Sequence, residues 1–131
     1  MMWFPTVDDV LVLHRIMVDA SGGSHGVRDV GLIESALHRA QASFGGVDAY
    51  NGIEAKAAAV GYGLTQNHGF VDGNKRIGMA TMLLILHRNG VDLRVDCGEI
   101  VCLGLAIASG EASQEAVFDW IVGHKTDEPE V

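Results

Sequence analysis

Between Ile77 and Leu86 the chain reads Ile-Gly-Met-Ala-Thr-Met-Leu-Leu-Ile-Leu, without one charged side chain. Wound into a helix, this stretch is apolar on every side, and such a helix is stable only where neighbours cover it all round. The fold must therefore place it centrally and pack the remaining elements about it. A bilayer is no alternative, because the longest uncharged run, Ile77 to His87, is far shorter than the ~20 residues a membrane-spanning helix needs.

The rest of the chain supplies the covering elements, and its apolar residues recur at helical spacing almost throughout. Thr6-Val7-Asp8-Asp9 caps a first helix, with Val7, Val10, Leu11, His14, Met17 and Val18 on one face and Ser21-Gly22-Gly23-Ser24 ending it. Asp29 opens a second, with Val30, Ile33, Leu37 and Ala40 on its inner stripe and a stop near Gly45-Gly46. A third runs from about Asn51 to Asn67, with an Ala- and Gly-rich inner face suited to close packing. The central helix is the fourth, from near Asn74 to Asn89-Gly90. After an extended link at Val91–Val95, Asp96 and Glu99 form a capping box for a fifth through Ala108. Ser113 caps a sixth, with Val117, Trp120 and Ile121 inward, and an acidic tail from Lys125 on is expected to fray. No repeat, low-complexity tract or strand alternation interrupts this pattern. The expectation is one compact all-α domain over residues 1–131, of about six helices around a buried central one.

Composition narrows the function. A formal charge of −8 argues against a general nucleic-acid binder, which presents a basic face. The 131 residues are 48% apolar and 20% charged, so the chain is neither disordered nor fibrous. Met1-Met2-Trp3-Phe4-Pro5 has neither the basic start nor the apolar stretch of a signal peptide, and a soluble cytoplasmic protein is expected, with no membrane partner. Cys97 and Cys102 have neither metal-ligand nor disulfide-framework spacing and read as buried thiols.

One segment departs from the helical pattern: Asn67-His68-Gly69-Phe70-Val71-Asp72-Gly73-Asn74-Lys75-Arg76-Ile77-Gly78. It joins the third helix to the buried fourth. Gly73 and Asn74 are helix-initiating residues, so the amides from Lys75 to Ile77 should stand unpaired at a helix N-terminus, flanked by Lys75 and Arg76. That is an anion site, and phosphate is its natural occupant. Asp72 can hold Mg²⁺, which takes one or two carboxylates and shares phosphate oxygens. Phe70 would anchor the loop in the core. His68 could take a proton from an attacking hydroxyl. Each residue alone has a plainer reading: a structural histidine, a helix cap, a solvated helix start. The other histidines, His14, His25, His38, His87 and His124, are scattered and read as structural or exposed. Dinucleotide and P-loop patterns fail, since Gly61-Tyr62-Gly63 lies in a helix and no Ser or Thr follows Lys75.

The run HGFVDGNKR resembles the signature of the Fic/Doc superfamily, and its Lys75 makes it similar to the Doc (death-on-curing) branch. The stretches Gly26-Val27-Arg28-Asp29-Val30-Gly31-Leu32-Ile33-Glu34-Ser35-Ala36-Leu37 and Leu86-His87-Arg88-Asn89-Gly90 also resemble Doc-type chains. The resemblance implies His68 as general base, Asp72 as the Mg²⁺ ligand, and Gly73, Asn74, Lys75 and Arg76 as the nucleotide-phosphate binders. Three positions depart from the Fic form: Gly69 stands for a Pro, Lys75 for a Gly that lines the anion hole, and Met79 for the final Arg. The last two speak against AMP transfer. For the Doc branch the resemblance implies a toxin paired with a Phd-like antitoxin, an ATP- and Mg²⁺-dependent protein Ser/Thr kinase acting on elongation factor Tu. The alternatives are a nucleotidyltransferase that tolerates Lys75 and an inactive binding module. In this superfamily a flap aligns the target peptide, and residues 44–52 are one candidate for it, an ordinary Gly-rich loop being the other reading.

The charge is uneven. Residues 55 to 91 hold Lys56, Lys75, Arg76 and Arg88 against Asp72 alone, a local +3 in a chain of net −8. A small polyanion such as a nucleoside triphosphate suits that distribution.

Overall fold

A computed structural model describes residues 2–126. Its order is α1 (Val7–Ser21), α2 (Val30–Ala40), β1 (Ser43–Phe44), β2 (Val47–Asp48), α3 (Gly52–Asn67), α4 (Asn74–Arg88), α5 (Cys97–Ser109) and α6 (Gln114–His124). The expected all-α domain is what forms, apart from one antiparallel hairpin of two-residue strands. Local chemistry sets the helix starts. Thr6 and Asp9 complete a reciprocal capping box on α1, Asp29 caps α2 through Gly31 N–H, and Ser113 caps α6 through Ala116 N–H.

The buried centre is a pair of helices. α4 buries Ile77, Met82, Ile85 and Leu86, as its all-apolar sequence requires, but α3 is the element that touches α2, α4, α5 and α6. Small residues let the pair approach closely. A Cβ built at Gly78 would overlap Thr65 Oγ1 and come within 2.9 Å of the Gly61 carbonyl. Ala57, Ala58 and Ala59 line α3 for the same reason, all essentially without exposure.

Several local expectations are corrected. α2 stops at Ala40, because the following residues turn into the hairpin around Gly45-Gly46, and its first residue, Val30, faces solvent. Cys97 and Cys102 are exposed, since α5 is covered only along Leu103, Gly104 and Ile107. The capping box of α5 is half formed: Asp96 accepts from Glu99 N–H, but the Glu99 carboxylate turns to His124 Nε2 at 2.6 Å. The tail is anchored further than expected, with Lys125 bridged to Leu93 and Thr126 N–H bonded to the Asp92 carbonyl. Residues 127–131 of that tail lie outside the described residues. No helix among the described residues is long and apolar enough to cross a membrane.

Candidate functional site

The exceptional segment forms a tight loop from the end of α3 to the start of α4. His68 closes α3 in the left-handed region (φ 53°, ψ 48°), the one non-glycine residue there among the described residues. Its side chain is exposed and makes no hydrogen bond among the described residues. The next residue has to be small. A Cβ on Gly69 would fall 2.6 Å from Ile33 Cγ1, so the Pro of the Fic form would require the Ile33 side chain to shift.

Phe70 is the anchor its sequence position suggests, 2% exposed. Its ring stacks on His14 of α1, with centroids 3.8 Å apart and planes 14° from parallel. Its backbone is held twice over by Asn74. Phe70 N–H donates to Asn74 Oδ1 (3.1 Å), and Asn74 Nδ2 donates to the Phe70 carbonyl (2.9 Å). The carboxamide read as a phosphate binder thus has one atom of each kind occupied in shaping the loop.

Gly73 starts α4 with φ 80°, a conformation that costs an L side chain roughly 1 kcal/mol or more. It allows the chain to enter the helix with amides pointing outward. Ile77 N–H is not among them, because it donates to the Gly73 carbonyl at 2.9 Å. The open amides are those of Asn74, Lys75 and Arg76, one residue earlier than the sequence suggested. Lys75 is exposed and has no partner among the described residues. The Arg76 guanidinium folds onto the end of α1, donating to Ser21 Oγ (2.6 Å) and the Gly22 carbonyl (3.0 Å). Asp72 and Arg76 converge beside Gly23, where an added Cβ would meet Asp72 Oδ2 at 2.7 Å and Arg76 Nη2 at 2.8 Å.

The Asp72 carboxylate is solvent-facing and lies below its ordinary pKa range. The main cause is the Ser24 amide donating to Oδ2 at 3.2 Å; the Gly73 amide on Oδ1 at 2.8 Å adds to it, and the Arg76 charge adds less. One exposed, ionised carboxylate beside open helix amides would suit Mg²⁺, which keeps most of its waters and shares phosphate oxygens. No cluster of three His, Cys, Asp or Glu exists among the described residues, so a dedicated metal cage is absent there.

Two participants were missed from the sequence. The first is His14, 3% exposed, whose Nε2 lies 2.8 Å from the Asp72 carbonyl. A carbonyl only accepts, so Nε2 carries the proton. The clue was a polar residue at an inner position of an otherwise apolar face. The second is the segment before α2. Arg28 N–H and Asp29 N–H donate to the Gly69 carbonyl, Val71 N–H donates to the Gly26 carbonyl, and the Arg28 guanidinium donates to the His68 carbonyl at 2.7 Å. Residues 44–52, the candidate flap, make no main-chain bond to the motif loop. They precede α3 at its N-terminal end, where Lys56 holds Asp48 and the Tyr50 carbonyl, whereas His68 closes the other end of that 16-residue helix. The helix is about 24 Å long at 1.5 Å per residue.

Comparison with known proteins identifies the family. Residues 4–86 match the model of the Fic/DOC family. The chain is 47% identical over 89 residues to Toxin Doc of Mycolicibacterium smegmatis, a match taking in 68% of this chain and 66% of that protein, just under two thirds of its length. It is also 31% identical over 112 residues to Protein kinase doc of Escherichia phage P1, covering 86% of this chain and 87% of that one. A loop carrying His68, Asp72 and the Asn-Lys-Arg start of a buried helix, together with these matches, establishes that the chain belongs to the Doc branch of the Fic/DOC family.

Proposed function

We propose that this protein is the toxin of a toxin–antitoxin pair, a protein Ser/Thr kinase that moves the γ-phosphate of ATP to a hydroxyl of elongation factor Tu in the cytoplasm and so blocks translation. The observation that carries this reading is the α4 N-terminus. Three open amides lie beside Lys75 and Arg76 where charge on a phosphoryl group would gather, next to the ionised Asp72. Met79, which stands for the final Arg of the Fic form, is 5% exposed and packed near Gly104, so position 79 itself supplies no cation to hold a donor's far phosphates. That favours a nucleotide placed with its terminal phosphate over the helix.

In this arrangement His68 accepts the proton of the incoming hydroxyl, the oxygen attacks the γ-phosphorus, and the bond to the β,γ-bridging oxygen breaks to release ADP. Lys75 and the amides of residues 74–76 take up charge on the phosphate oxygens, and Arg76 joins them by leaving Ser21 and Gly22. Asp72 would hold Mg²⁺, which when bound supplies charge neutralisation of the phosphates. Residues 24–29 offer a place for the acceptor. In the Val27–Phe70 bridge the flanking residues make the main-chain bonds, so the N–H and C=O of Val27 point away from the motif and can pair with an extended peptide.

A Phd-like antitoxin has a surface to cover. Met17, Met79, Leu83, Ile100, Val101 and Leu105 line an apolar cleft of about 300 Å³ that also touches Lys75 and Arg76. An amphipathic segment with an acidic residue at one end would fill it and engage both cations. The test of the activity supplies elongation factor Tu, Mg²⁺ and ATP labelled at either the γ- or the α-phosphate. Label from the γ-position should reach protein. Transfer of the α-label instead would replace this reading with nucleotidyl transfer, and transfer of neither would leave a binding module.

A further inference from the structure

His14 lies outside the motif, yet among the described residues it is the one α1 side chain hydrogen-bonded to the motif's main chain at its turn into α4. It is buried, its ring stacks on Phe70, and its Nε2–H donates to the Asp72 carbonyl across 58 residues of sequence. The direction of that carbonyl matters. Four residues on is Arg76, whose amide would be the partner of the Asp72 carbonyl if α4 began one residue earlier, since the first bond of the helix runs from Ile77 N–H to the Gly73 carbonyl. With the carbonyl turned to His14, that amide stays open. The ring also sits under Gly73, where an added Cβ would be 3.4 Å from Nε2, and so backs the residue whose left-handed conformation begins the helix.

We propose that His14 is a positioning residue for phosphate transfer, holding the Asp72–Gly73 peptide so that the Asp72 carboxylate and the open amides of residues 74–76 face one phosphate. The proposal rests on the anion-site reading above for its function, and on the hydrogen bond and the stack for its structure. It separates two properties of one side chain, the flat ring on Phe70 and the donor on Asp72.

Two variants separate these properties. His14→Phe keeps a ring against Phe70 and removes the donor. His14→Gln places an amide N–H near the position of Nε2 and removes the aromatic stack. Thermal melting establishes that each folds. Hydrogen exchange at the Phe70, Val71 and Gly73 amides reads the loop without any ligand, and steady-state transfer from Mg²⁺-ATP to elongation factor Tu reads function. In H14F these amides should exchange about 10-fold faster, with α3 amides unchanged, and kcat should fall about 10-fold or more, the scale of losing one buried hydrogen bond. H14Q should recover most of both. Wild-type exchange and kcat in folded H14F would overturn the proposal, as would a folded H14Q no better than H14F. If H14F does not fold, H14Q alone decides: near-wild-type exchange and kcat uphold the donor role, and losses in both overturn it. If the wild type transfers no phosphate, the kinase reading falls, and the exchange measurements still decide whether His14 holds the loop.

Discussion

Asn74 grips Phe70 from both sides of one peptide, accepting from its N–H at 3.1 Å and donating to its C=O at 2.9 Å. The loop between them is therefore closed by a side chain at the first residue of α4, where a side-chain cap on that helix is missing. Removing this clip strands two main-chain polar groups of a residue that is 2% exposed. Asn74→Ala should cost about 2 kcal/mol in urea unfolding. Asn74→Asp should keep the bond from Phe70 N–H, lose the one to the carbonyl and add negative charge beside the proposed phosphate site. It should transfer less phosphate than its stability loss alone would explain.

His68 stands in a left-handed conformation at the end of α3. A glycine there avoids a penalty of roughly 1 kcal/mol that alanine bears. His68→Gly should thus melt higher than His68→Ala, while both lose transfer. A His68→Gly protein that is as active as wild type would remove His68 from the role of general base.

The α3–α4 crossing has no room at Gly78, where a Cβ overlaps Thr65 Oγ1. Gly78→Ala adds a favourable helix residue but forces the two helices apart. Overpacking of this kind costs about 1–3 kcal/mol. A fall of several degrees in Tm, at roughly 2–6 °C per kcal/mol for a domain of this size, is expected. A second change, Thr65→Ser in the Gly78→Ala background, should recover little, because the hydroxyl remains.

The Asp72 carboxyl is lowered, chiefly by the Ser24 amide and then by the Gly73 amide. A group with a depressed folded-state pKa contributes stability that is in place above its unfolded value and is lost as pH falls through the folded one. Between pH 5 and 8, then, Asp72 stays ionised and the Ser24–Asp72 contact holds. It should release only below about pH 4, the ordinary carboxylate range. Following the Ser24 amide resonance against pH checks this: a midpoint at or above the ordinary value would contradict the geometry. In Asp72→Asn the low-pH step at Ser24 should vanish, and stimulation of transfer by Mg²⁺ should weaken.

Much of this fold could be read locally. The starts of α1, α2 and α6 follow from Thr6, Asp29 and Ser113, because a cap acts within three residues and needs no partner from elsewhere. Ile77 to Leu86 demanded burial by composition alone. The motif residues fell together because they are contiguous. The cysteines misled, since an apolar run shows that a helix has a buried face but leaves its rotation open; Cys97 and Cys102 lie on the open side of α5.

Which side chains meet across the chain was a different matter. Sequence by itself determined a six-helix domain with a glycine-bearing turn before its buried helix, because helix period, caps and glycine placement are short-range properties. Tertiary structure alone decided that His14 turns the Asp72 carbonyl, that residues 24–29 and not 44–52 pair with the motif, and that Arg76 rests on Ser21. Each joins positions more than 35 residues apart, and no local preference specifies such a contact. It arises when the apolar faces of α1, α2 and α3 are buried together with α4, which brings the end of α1 and the start of α2 against one loop.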